Sequence, residues 1–167
     1  VNRGQNLAED VTVSGTVAGA VQGMQMGIPS MALSQSINYH LGEDVNWDVA
    51  KKHGADVVKR LIAHSWPQSV VMNVNFPAEL KDDTPIIEAT FQGMREEDVN
   101  HLDRREDLRG NDYYWLGYNN KQLTPEEGSD LRAVMDGKVS VTPLHIDLTA
   151  KKVLSQLAKE FNYNGVV

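Results

Sequence analysis

The sequence predicts an α/β fold in which helices cover a mostly parallel sheet. Helix and strand patterns alternate through the first half of the chain, and this rhythm is typical of parallel strands joined by helices. The 167 residues, of which 41% are hydrophobic, are enough for one domain with a sizeable core. Ligands of such folds gather at the carboxyl ends of the strands, where Asn2 would lie if Val1 ends a strand.

The first half of the chain contains two helix patterns and two strand patterns. Ser14 is placed to cap a helix whose apolar residues recur at helical spacing, namely Val17, Ala20, Val21 and Met24. The apolar run 28–34 predicts a buried strand, and 46–64 predicts a helix with one apolar face. A second strand is predicted over 69–76, and it ends at Pro77 because proline cannot donate to a sheet ladder.

The second half of the chain is more irregular. Residues 86–91 and 113–118 are predicted strands, and the highly charged stretch 95–112 between them predicts an extended arm or loop. Residues 139–144 predict another strand. Thr149 can cap a final helix with a single apolar stripe, which consists of Val153, Leu154, Leu157, Ala158 and Phe161.

Composition narrows the class of partner. Sixteen basic and 23 acidic residues give a formal charge of -7, and no basic stripe runs along the sequence, so polymeric nucleic acid is not expected as a partner. The sequence contains no cysteine, which excludes disulfides and thiolate metal sites and makes the cytoplasm the expected compartment. No apolar run is long enough for a bilayer, so no membrane partner is expected.

The segment from Ser14 to Thr16 has two interpretations. It is an ordinary capped helix start after a polar loop, or it is an anion site, because the first N–H groups of a helix have no intrahelical partner. Asn2 and Asn6, upstream of it, are likewise typical of turns. Spacing alone leaves both interpretations open.

Five segments in sequence carry motifs that occur together in one family. The first consists of Asn2, Gly4, Asn6, Asp10, Ser14, Gly15, Thr16 and Val17. The others are Gly-Ile-Pro-Ser-Met-Ala-Leu-Ser at 27–34, Asn-Val-Asn-Phe-Pro at 73–77, Asp-Leu-Arg-Gly with Tyr-Tyr-Trp at 107–115, and Ser-Asp with Val-Ser-Val-Thr-Pro-Leu at 129–144. In this order they resemble the motifs of the SurE family of metal-dependent nucleotidases, whose first signature is SGIN-x-G-x-N-x-G-x-D-x-x-YSGTV.

The resemblance implies a Rossmann-like three-layer core with a mostly parallel sheet, a projecting β-hairpin, and a C-terminal helix used in oligomerisation. It implies a single SurE-like domain over 1–167, with an α/β core portion at 1–80, hairpins and an arm at 81–148, and the C-terminal helix at 149–167. Family members begin with a strand that ends in Asn-Asp-Asp-Gly, whose aspartates hold a metal. That motif and a metal-binding loop serine are absent here, so an N-terminally truncated chain is expected.

The resemblance further implies a phosphomonoesterase that hydrolyses nucleoside 5'- and 3'-monophosphates with one divalent metal per subunit, Mg²⁺ or Mn²⁺. Asn2 matches a metal ligand, and the expected contacts to the substrate phosphate are Asn6, Ser14, Gly15 and Thr16. No catalytic nucleophile or base is expected in these residues, so the chain alone should be nearly inactive. Homodimers or homotetramers are expected.

Two further expectations concern the loop before the helix. Glu9 and Asp10 are interpreted as solvated or dipole-complementing carboxylates rather than as an acid and base pair. Ala8 replaces the family's usual glycine and is expected to stiffen the loop that carries Asn6. The competing hypothesis for the whole chain is a non-catalytic fragment that serves oligomer assembly and keeps a vestigial phosphate site.

Overall fold

A computed structural model describes residues 1–38, 44–95, 100–118 and 124–161. Its strands are β1 (Asn2–Arg3), β2 (Met31–Gln35), β3 (Val70–Phe76), β4 (Ile87–Ala89), β5 (Asn100–Glu106), β6 (Asp112–Tyr118) and β7 (Val139–His145). Its helices are α1 (Gly15–Gln25), α2 (Asp48–Ile62), α3 (Asp130–Met135) and α4 (Lys151–Glu160), and a short 3₁₀ helix covers Ala8–Thr12. The predicted α/β class is confirmed.

The core is a five-stranded sheet in the order β1-β2-β3-β7-β4. Strands β1, β2 and β3 are parallel, β7 is antiparallel to β3, and β4 is parallel to β7. The sheet is therefore mixed but mostly parallel, as predicted, since three of its four strand pairings are parallel. Both β4 and β7 lie within 81–148, the segment expected to form hairpins and an arm, yet they complete the core sheet.

The two long helices lie on opposite faces of the sheet. Helix α1 packs against Ala32 and Val71, whereas α2 packs against Val74 and Phe76, and alternate residues of a strand point to opposite faces. The three-layer arrangement is thus present. Because β1, β2 and β3 advance in one direction across the sheet, helices on opposite faces require crossovers of opposite hand, although the right hand is the usual one.

The first-half elements match the sequence patterns, with shorter ends. Strand β2 starts three residues later than predicted because the chain leaves α1 through Gly27, whose φ of +77° closes the helix. Helix α2 lacks a side-chain cap at Trp47. Gln35 takes over this role from β2, because its Oε1 accepts the Ala50 N–H at 3.1 Å while its Nε2 donates to the Pro77 carbonyl at 2.7 Å.

The charged stretch lies outside the core sheet, as an arm would, and the structure adds its secondary structure. Residues 100–106 form a strand that pairs with β6 in an antiparallel hairpin, which agrees with the projecting β-hairpin that the family resemblance implies. Opposite charges support the pairing, as in the Arg104–Asp112 contact at 2.6 Å, and Arg105 lies over the ring of Trp115 at 5.6 Å. Residues 96–99 of the predicted arm lie outside the described part of the chain.

Two element boundaries and one additional helix in the second half also differ from the prediction. Strand β4 is shorter than predicted, and Phe91 instead forms an isolated bridge to Ser129. Helix α3 has no counterpart in the sequence prediction, since six residues show too little periodicity to detect. Thr149 does not cap α4: Ala150 occupies that position, without a side-chain cap.

Helix α4 carries an apolar stripe that the described residues leave uncovered. Leu154 is 52% exposed and Phe161 is 74% exposed, and no residue of α4 is buried. A ten-residue helix is marginal in water unless its apolar face is packed. Residues 162–167 of the predicted C-terminal segment lie outside the described ranges.

Candidate functional site

The start of α1 lies beyond the carboxyl end of β1, as the topology requires. Ser14 caps the helix, since its Oγ accepts the Val17 N–H at 3.0 Å. The Gly15 and Thr16 N–H groups occupy the first two helical positions, where no intrahelical acceptor is available. A Cβ at Gly15 would meet nothing within 4 Å, so protein packing does not require glycine, and Gly15 itself is exposed at the start of the helix.

Asn2 lies next to β2, paired in register with Ser34. Its Nδ2 donates to the Gly4 carbonyl at 2.9 Å, which fixes the amide and leaves the side-chain oxygen as its available ligand atom. Gly4 has a φ of +94° and turns the chain out of the ladder, a conformation that favours glycine. Asn2 is half-buried, so its side chain is partly accessible to solvent.

Asn6 is deeper, with only 7% of its surface exposed. Its side-chain Nδ2 donates to Ser34 Oγ at 2.6 Å, its N–H donates to Asn75 Oδ1 at 2.8 Å, and its carbonyl accepts from Asn73 Nδ2 at 2.8 Å. Ser34 therefore links Asn6 to the strand position that pairs with Asn2. Among the predicted site residues, Asn2 and Asn6 are brought together through Ser34, while Ser14, Gly15 and Thr16 follow along the chain.

The loop between Asn6 and α1 is held by the side chain of Asp130. Ala8 has a φ of +51°, in the left-handed region, and this explains why glycine suits the position. The buried Asp130 at the start of α3 stabilises this conformation, because its Oδ2 accepts the Ala8 N–H at 2.9 Å. The other oxygen, Oδ1, accepts the N–H groups of Gly93 and Leu131, each at 2.8 Å.

Glu9 and Asp10 have a more specific role than solvated carboxylates. The Arg95 guanidinium binds Asp10 with both terminal nitrogens, at 2.6 and 3.0 Å, and the Arg95 N–H donates to Glu9 Oε1 at 2.8 Å. The Arg95 side chain is only 15% exposed, so this bidentate pair is better shielded than a surface ion pair. It ties the loop to the segment after β4 and gives both carboxylates a structural partner.

The described residues supply only part of the ligand set that a divalent metal needs. Asn2 Oδ1 is a neutral oxygen of the type that Mg²⁺ accepts alongside carboxylates and water. Within the described ranges, no three His, Cys, Asp or Glu side chains cluster in a way that could hold a metal. The described residues thus fit one ligand position and not a complete coordination sphere.

Sequence reasoning missed the roles of four buried polar side chains around the loop. Ser34, Asn73, Asn75 and Asp130 are all fully buried. Asn73 and Asn75 stand two apart in an otherwise apolar strand, a spacing that places both on one face. Buried amides in a central strand need partners, and that signal was present in the sequence.

The family model and the curated relatives that match this chain all carry the name SurE. Residues 1–98 match the family model described as survival protein SurE. The chain is 55% identical to the 5'-nucleotidase SurE of Caulobacter vibrioides strain NA1000, and the match covers 94% of this chain and 60% of that relative. It is 51% identical to the 5'-nucleotidase SurE of Hyphomonas neptunium, and that match covers 96% of this chain and 64% of the relative. The chain thus spans about 60% of the length of the first of these curated relatives.

The fold comparison agrees with the sequence comparison. The crystal structure of the SurE protein from Aquifex aeolicus matches with a TM-score of 0.78 and 36% identity, over 96% of this chain and 63% of that chain. Within the described part of the chain, no helix is both long and apolar enough to cross a bilayer. With more than half of its residues matched by the family model and its fold shared with a family member, the chain belongs to the SurE family.

Proposed function

We propose that the protein carrying this chain is a metal-dependent phosphomonoesterase that hydrolyses nucleoside 5'- and 3'-monophosphates to nucleoside and phosphate. The observation that carries the proposal is the open start of α1, where two N–H groups without helical partners follow the capping Ser14. The nucleotidase names of the relatives supply the substrate class. The proposal treats residues 1–167 as part of one SurE-like domain.

The helix start binds the transferring phosphoryl group. The N–H groups of Gly15 and Thr16 donate to phosphoryl oxygens, and the partial positive charge at the helix N-terminus favours the anion. Ser14 Oγ already accepts from Val17, so its proton is available to donate to the same oxygens. Because Gly15 has no side chain, the oxygens can come within hydrogen-bond distance of the backbone.

Asn2 contributes one ligand to a single Mg²⁺ or Mn²⁺, and the second N–H of the Asn6 side-chain amide donates to the substrate phosphate. The carboxylate ligands belong to parts of the SurE fold that these 167 residues do not span. A bound divalent cation would neutralise charge on the phosphoryl group and lower the pKa of a bound water. Asn2 holds its oxygen in place by donating to Gly4, which reduces the cost of ordering it on binding.

The test is phosphate release from AMP or GMP with Mg²⁺ or Mn²⁺, with and without a chelator. We expect chelator-sensitive release by the intact polypeptide and almost none by the 167-residue chain alone. Asn2→Ala in the intact polypeptide should lower turnover at least about tenfold, while Asn111→Ala, in the exposed hairpin turn, should not. Unchanged metal-dependent turnover in Asn2→Ala would remove Asn2 from the mechanism.

Assembly into homodimers or homotetramers is the second part of the proposal. The exposed apolar stripe of α4 and the aromatic side chains Tyr114 and Trp115 on the hairpin provide surface that a second copy can cover. Leu154→Glu should reduce the mass measured by light scattering, while Gln156→Glu on the same helix should leave it unchanged. A monomeric parent protein at micromolar concentration would contradict this part, and assembly without any turnover would favour the non-catalytic alternative.

A further inference from the structure

The main-chain N–H and carbonyl of Asn6 need hydrogen-bond partners that the sheet ladder does not provide. The last ladder contact at this edge is the Gly4 N–H donating to the Gln35 carbonyl at 2.9 Å, after which the chain turns away. Asn6 is nevertheless buried. A buried N–H and C=O without partners would be costly, so both groups must be satisfied by side chains.

One side-chain amide satisfies both groups. Asn75 Oδ1 accepts the Asn6 N–H at 2.8 Å, and Asn75 Nδ2 donates to the Asn6 carbonyl at 3.1 Å. Because a main-chain N–H can only donate and a carbonyl can only accept, these two contacts fix the orientation of the Asn75 amide. An aspartate of the same shape would place its second oxygen against the Asn6 carbonyl.

The support behind Asn75 is rigid. Strand β3 is paired on both sides, with β2 and with β7, and Asn73 and Asn75 are fully buried. Asn73 adds a second donor to the Asn6 carbonyl at 2.8 Å. Within the described residues, these contacts and the Ser34 contact engage the Asn6 N–H, its carbonyl and one of the two N–H bonds of its side-chain amide.

We propose that Asn75 is a positioning residue of the phosphate-transfer site. Asn75 holds the main chain of Asn6 against the central strand β3. Through Asn6 it also fixes the loop that connects Asn2 to Ser14. This inference rests on the proposed function. It assigns Asn75 no contact with substrate, and it predicts that a substitution there changes turnover by displacing Asn6.

The test compares Asn75→Asp with Thr142→Val in the intact polypeptide. Thr142 is buried in the neighbouring strand and contacts Thr90 and Ser140 rather than Asn6, so its variant controls for a general loss of packing. We expect kcat for AMP hydrolysis to fall about 10- to 100-fold in Asn75→Asp, with kcat/KM falling equally. The Asn6 amide signal in ¹⁵N–¹H spectra should shift in that variant and stay in place in Thr142→Val.

Each outcome decides between the claims. An active parent protein with unchanged kcat in Asn75→Asp overturns the positioning role, as does an equal fall in both variants. An inactive parent protein refutes the proposed function, while an Asn6 signal unchanged in Asn75→Asp overturns the contact itself. If Asn75→Asp does not unfold cooperatively, Asn75→Ser takes its place, because it removes the paired amide contacts to the Asn6 main chain without adding a charge: a fall in kcat with a shifted Asn6 signal supports the proposal, and an unchanged kcat overturns it.

Discussion

Replacing Asp130 by asparagine tests how the site loop is held. The carboxylate is fully buried and accepts three main-chain N–H groups, from Ala8, Gly93 and Leu131, at 2.8 to 2.9 Å. Asparagine has nearly the same shape, but one of its two terminal atoms is a donor. If its oxygen keeps Gly93 and Leu131, its nitrogen faces the Ala8 N–H and that donor loses its partner.

The cost follows from these contacts. An unsatisfied buried donor costs about 1–3 kcal/mol. The two retained hydrogen bonds change from charged to neutral acceptors, which loses about 1 kcal/mol each. Removing a buried charge recovers part of that sum, because the charge no longer has to be desolvated. The expected loss of unfolding free energy is about 2–4 kcal/mol, a large fraction of the roughly 5–15 kcal/mol typical of a domain.

Chemical denaturation at pH 7 measures this loss directly. The matched control is Asp56→Asn on the exposed side of α2, which should change the unfolding free energy by less than about 0.5 kcal/mol. Hydrogen exchange at the Ala8 amide should accelerate in Asp130→Asn and not in the control. An Asp130→Asn variant within about 0.5 kcal/mol of the parent would refute the reasoning that this carboxylate holds the loop.

Three further predictions concern stability and pH. Ala8→Gly should change the unfolding free energy by less than about 1 kcal/mol, because relief of the positive φ offsets added chain entropy, whereas Ala8→Val should cost more than about 2 kcal/mol in denaturation. Gln35→Leu leaves two buried partners unsatisfied and should cost about 2–4 kcal/mol, measured the same way; no loss would contradict its bridging role. The Asn111 N–H lowers the pKa of Asp107 below its ordinary 3.8, so this turn contact is fully present above pH 3.8 and is lost as pH falls through the lower folded-state pKa. NMR titration of the hairpin checks the direction, and a carboxyl that titrates above 3.8 would contradict it.

The sequence by itself determined the α/β class, the position of α1 and its serine cap, and the strand that ends at Pro77. These features depend on local physics: periodic burial, a capping hydroxyl, and the missing donor of proline. The five motifs in order likewise identified the family without any coordinates. Local pattern did not reveal the short helix α3 or the bounds of the strand at 100–106, because neither carries an apolar period long enough to stand out; the hairpin itself was implied only by the family resemblance.

The tertiary structure alone decided how the site loop is supported. Asn6 meets Asn75 across 69 positions of sequence, and Ala8 meets Asp130 across 122. Such pairings depend on which strands become neighbours and on which face each residue takes, and β7 entered the sheet antiparallel beside β3 from the distant half of the chain. Local propensity contains no information about contacts at that separation, because they form only when the whole sheet assembles.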